Sequence, residues 1–87
     1  LIADEVTAQK VAHLNKLLNN LPGRQKESLY LRYHQGLSVE EVAAIMQVNY
    51  QSANNLLHRA LIHLRKEWKE DFSVLLLLCS AYPQVFF

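Results

Sequence analysis

Apolar residues recur at three- and four-residue steps through most of this chain, and no pair of strands can be read in it. Val11, Leu14, Leu17, Leu18 and Leu21 form one such series. Ala53, Leu57, Ala60, Leu61, Leu64 and Trp68 form another. Each series falls on one face of an α-helix. With 87 residues there is room for one domain with one small core, and none for a doubly wound sheet or a barrel. Only two glycines and two prolines interrupt a chain that is 51% hydrophobic, which excludes disorder, collagen-like sequence and a flexible linker. The expected fold is all-α: a four-helix domain over residues 1–71 that contains a helix-turn-helix, followed by an apolar C-terminal helix over 72–87.

Local signals place the helices. The first should run from Ala3 to Asn19. Pro22 suits the first turn of a second helix reaching His34. Gly36 stands where a left-handed C-cap is wanted. Ser38-Val39-Glu40-Glu41 has the spacing of a capping box, which opens a third helix ending near Met46. That helix is expected to bury Val42, Ala43, Ile45 and Met46. Asn49 can cap a long fourth helix to Lys69. Phe72 to Ala81 reads as a fifth, stopped by Pro83.

The third and fourth helices, joined by a short turn, have the form of a helix-turn-helix. Val42, Met46, Val48, Ala53 and Leu57 should fill the space between them. Stepping 100° per residue from Leu57, the outer face of the fourth helix carries Gln51, Ser52, Asn55, Arg59, Ile62 and Lys66. Amide side chains pair with the N6/N7 edge of adenine, and arginine with guanine or phosphate. Net charge is only +1, but residues 24–66 hold six basic and three acidic residues. A weakly basic middle thus lies between acidic ends. An ordinary helical hairpin with a solvated polar face has the same pattern.

The local sequence narrows the choice. Leu21-Pro22-Gly23-Arg24-Gln25, the run Leu31-Arg32-Tyr33-His34-Gln35-Gly36-Leu37-Ser38-Val39-Glu40-Glu41-Val42-Ala43, and Leu57-His58-Arg59-Ala60-Leu61 occur in this order. Together they resemble region 4 of bacterial RNA polymerase sigma factors, nearest to the extracytoplasmic-function group of the sigma-70-type family. The likeness extends from about Leu14 to Trp68. It implies recognition of the promoter −35 element while docked on core RNA polymerase, with no enzymatic activity and no cofactor of the chain's own. It implies double-stranded promoter DNA and core polymerase as partners, an anti-sigma factor as a further one, and a cytoplasmic location. Carried over by position, it implies base contacts from Gln51, Ser52, Asn54, Asn55 and His58, and DNA-backbone contacts from Arg24, Arg32 and Arg59. Two departures stand out. The family's glycine at the helix-turn-helix turn is Gln47 here, and its basic residues are replaced by Asn54 and Leu56. Fewer cations imply weaker sequence-independent affinity, tolerable if polymerase supplies most of the binding. The rival functions are an output domain of another transcription regulator and a protein-interaction domain that binds no DNA.

Other features read more simply. His58 and His63 are five apart and do not share a helix face, so no metal site is expected. Glu40 and Glu41 diverge and make no catalytic pair. One cysteine, Cys79, allows no internal disulfide and should be a small buried hydrophobe. The sequence opens on Leu1 rather than Met and is expected to be a segment of a longer chain. The uncharged stretch Phe72–Phe87 is too short to span a membrane. It should cover the domain near Leu61, Leu64 and Trp68 with one face. Its second face should meet another protein, giving a homodimer of the isolated fragment. The alternative is that the tail masks the DNA-facing residues.

Overall fold

A computed structural model describes residues 5–87. Among these residues there is no strand, and the fold is all-α. Five α-helices follow one another: α1 (Glu5–Asn19), α2 (Gly23–Leu29), α3 (Val39–Met46), α4 (Tyr50–Glu67) and α5 (Phe72–Ala81). A π-helical segment, Tyr30–His34, continues α2, and a 3-10 turn, Pro83–Phe86, follows α5. The expected start of the first helix at Ala3 lies outside the described residues.

Helix ends are set by the residues found there. Asn20 and Leu21 close the last turn of α1 with bonds back to Lys16, Leu17 and Leu18. Ser38 and Glu41 complete the capping box: the Glu41 N–H donates to Ser38 Oγ at 3.1 Å, and the Ser38 N–H donates to Glu41 Oε1 at 2.9 Å. Asn49 Oδ1 accepts from the Ser52 N–H at 2.7 Å and starts α4. Gly36 has φ +72°, the left-handed conformation that glycine adopts without a Cβ penalty. The fourth helix stops at Glu67, two residues before Lys69, because Trp68 turns extended at φ −92°, ψ 112°.

Two cores result. The main one joins Leu14, Leu17 and Leu18 of α1, Leu21, Leu29 of α2, Leu57, Ala60 and Leu64 of α4, and Trp68. It also takes in Leu75, Leu78 and Cys79 of α5, with Val85 and Phe86. The smaller one lies between α3 and the start of α4 and holds Val42, Ala43, Met46 and Ala53. Leu31, Leu37, Val39, Val48 and Leu56 pack on it, half-buried.

Three expectations are corrected. The second helix is not uniformly α: the Gln35 N–H reaches the Tyr30 carbonyl, five residues back, at 3.0 Å. That wider turn carries Tyr30, whose ring meets Phe86 edge-on at 5.3 Å. Ile45 is 54% exposed rather than buried, because α3 turns only the Val42, Ala43 and Met46 stripe toward α4. Leu57 belongs to the main core, since only the first turns of α4 lie against the short α3.

The tail is built into the main core. Asn15 Nδ2 donates to the carbonyls of Gln84 and Val85, each at 3.2 Å, and His34 Nδ1 lies 3.1 Å from the Ser80 carbonyl. Leu77 (66%) and Phe87 (80%) remain exposed. Phe72, Val74 and Leu76 are half-buried, so the second face is narrower than an all-apolar helix suggested. Gln51, Ser52, Asn54, Asn55, His58 and Arg59 are all exposed, so the tail does not mask them. Among the described residues no helix is long and apolar enough to cross a membrane.

Candidate nucleic-acid interface

The turn between α3 and α4 sets the geometry of the site. Gln47 takes the left-handed conformation, φ 59°, ψ 44°. Its N–H donates to the Ala44 carbonyl at 3.3 Å, and the Val48 N–H reaches the Ala43 carbonyl at 3.0 Å. These are the two bonds of a Schellman motif, which satisfy carbonyls the helix end would otherwise leave open. The chain then turns at once into Asn49, the cap of α4. In the first turn of α4, Tyr50, Gln51 and Ser52 are exposed, while Ala53 is buried against α3.

Arg24 braces this turn from α2. Its Nη2 donates to the Met46 carbonyl at 2.9 Å, the last helical carbonyl of α3, and its Nη1 stands 3.9 Å from Glu27 Oε1. Arg24 also lines an open cleft of about 400 Å³, together with Val48, Ser52, Asn55, Leu56 and Arg59. Four of the residues singled out in the sequence thus meet in one hollow: Arg24, Ser52, Asn55 and Arg59. Two cations and two small polar side chains sharing one hollow suit an anionic backbone and the hydrogen-bonding groups it carries.

The other expected residues are placed differently. Gln51 is exposed on the same helix turn, and its Nε2 donates to Asn55 Oδ1 at 3.3 Å. Asn54 is exposed and outside the cleft lining. His58 borders a second, smaller hollow with Leu61, Ile62 and Arg65. Arg32 is half-buried, and its Nη1 donates to the Leu37 carbonyl at 2.9 Å, with the guanidinium 5.8 Å from the Tyr33 ring centre. It ties down the loop that leads into Ser38 and does not line the cleft.

Tyr50, half-exposed at the first position of α4, directly follows the Asn49 cap and does not line the cleft. Sequence reasoning missed the Met46 contact of Arg24, and no local pattern announces a bond spanning 22 positions. Glu41 is the interface's shifted acid. The Ser38 backbone N–H, with the Ser38 hydroxyl as a lesser cause, holds its carboxyl below the ordinary value. The capping contribution is therefore present at neutral pH and lost as pH falls through that lowered value. No group of three or more possible metal ligands occurs among the described residues.

Comparison with known proteins bears on this geometry. The family described as Sigma-70, region 4 matches over residues 13–64, which include the helix-turn-helix and both cleft arginines. An ECF RNA polymerase sigma factor, SigD, of Mycobacterium tuberculosis is 40% identical over 62 residues, and that of Mycobacterium bovis is equally so. The aligned part is 71% of this chain and 29% of each relative, so the chain spans less than a third of the curated relatives it matches. No solved structure matches significantly.

Proposed function

This chain belongs to the sigma-70 region 4 family, and from that premise we propose that it reads the −35 promoter element for a sigma factor of the extracytoplasmic-function group. The observation that carries the reading is the cleft that Arg24 and Arg59 line together with Ser52 and Asn55. The exposed start of α4 enters the major groove. Gln51, Ser52, Asn54, Asn55 and His58 face base edges there, where amides match adenine. Arg24 and Arg59 hold flanking phosphates, and Arg32 offers a third contact through the donors its Leu37 bond leaves over. The domain positions DNA and makes no bond. Phosphodiester chemistry belongs to core RNA polymerase, its second partner, in the cytoplasm. The exposed Leu77 and Phe87 favour self-association of the isolated chain through the tail. In the cell, an anti-sigma factor or polymerase would occupy the same surface.

Titration of residues 1–87 with a −35 duplex at several salt concentrations tests the reading. Each neutralised phosphate contributes about −0.9 to the slope of log affinity against log salt. Replacing Arg24 by Ala should weaken binding to all sequences and flatten that slope by about one. Salt-independent binding would favour a protein-interaction domain instead. Light scattering addresses self-association: a dimer is expected that becomes monomeric in a Leu77→Ser, Phe87→Ser variant.

A further inference from the structure

The two amides at the front of the recognition helix touch each other. Gln51 and Asn55 are four residues apart on the exposed face of α4, and the Gln51 Nε2 donates to Asn55 Oδ1 at 3.3 Å. A carboxamide has one acceptor oxygen and an NH2 group with two N–H donors, so the bond uses one Gln51 N–H and leaves the other, with Gln51 Oε1, available. From Gln51 toward Asn55 the pair presents an acceptor, Gln51 Oε1, then the shared N–H···O bond, then a donor, Asn55 Nδ2. The turn beneath them is held by the Asn49 cap on the Ser52 N–H, at 2.7 Å. The bond biases two flexible side chains toward one arrangement before DNA arrives, which lowers part of the cost of ordering them on binding.

We infer that Gln51 and Asn55 act as one interlocked reader, matched to a base-edge donor beside a base-edge acceptor. The inference rests on the proposal that α4 reads the major groove. A donor facing Gln51 is the N6 amino group of adenine or the N4 amino group of cytosine. An acceptor facing Asn55 is a purine N7, guanine O6 or thymine O4. Adenine offers donor and acceptor on one edge, and neighbouring base pairs offer them across a step.

A binding selection from randomised double-stranded DNA tests this. It compares residues 1–87 with Gln51→Ala, Asn55→Ala, both together, and Asn55→Asp. Each single alanine variant should lose about tenfold or more of the preference at the same base pair or step. The double variant should lose no more than about twofold beyond the worse single one. Asn55→Asp keeps an oxygen for Gln51 but no donor. It should retain the preference for adenine or cytosine opposite Gln51 and lose that for the neighbouring acceptor. Additive losses at separate base pairs would overturn the interlocked reader and leave DNA reading intact. A parent chain with no sequence preference would overturn both.

Discussion

At Gln47, φ is 59°, where a side chain with a Cβ is strained by roughly 1 kcal/mol. The strain persists because the turn is overdetermined: two Schellman bonds hold its backbone, and Arg24 holds the Met46 carbonyl beside it. Gln47→Gly should relieve the strain, offset in part by the freedom glycine gains in the unfolded chain. The expected result is a gain of up to about 1 kcal/mol in urea unfolding, with DNA binding retained; a loss of stability would mean that the glutamine side chain makes a contact the turn needs. This residue scale was the most legible in the sequence. Ser38, Glu41 and Asn49 announce their caps by spacing, because a cap is made by neighbours. Arg24 was legible only as a basic residue in a motif. Its partner is 22 positions away, and tertiary folding alone brings the two together.

Helices α1 and α4 were legible because polar residues mark which side faces water, whereas α3 has none after Glu41 and Ile45 was misplaced. The fifth was not legible, since Phe72 to Cys79 is almost uniformly apolar and periodicity cannot orient such a helix. Its partners decide. Leu75 is fully buried and Leu77 is 66% exposed, although both are leucines two residues apart. Leu75→Ala should cost about 2–5 kcal/mol, while Leu77→Ala should stay within about 0.5 kcal/mol. Chemical denaturation of the two variants checks this; equal losses would place α5 in another orientation. The π-helical segment was likewise invisible, because one extra residue in a turn leaves no compositional trace. It matters for the tail: Tyr30 meets Phe86 and Phe87 there, and His34 reaches Ser80. Cys79 sits in this junction, and burial pushes its thiol up to about 12. It should resist alkylation at neutral pH until the chain unfolds, which a timed iodoacetamide reaction would show; rapid labelling of the folded chain would contradict the docked tail.

Across the whole molecule, α4 belongs to both cores: Ala53 to the smaller, and Leu57, Ala60 and Leu64 to the larger. The recognition end is therefore an extension of a rigid platform formed with α1, α2 and α5. Net charge is +1, so long-range attraction to DNA is weak. Asn54 and Leu56 stand where the resemblance to the family implies cations, so fewer phosphate contacts are expected. Run-off transcription tests −35 reading most directly, using a hybrid in which this chain replaces the matching segment of the mycobacterial relative. With core polymerase and promoters differing only in the −35 element, the account predicts that the hybrid transcribes and discriminates among −35 sequences. It also predicts that Arg59→Ala depresses transcription from every promoter. A hybrid that transcribes with no dependence on the −35 sequence, while its parent discriminates, would contradict it.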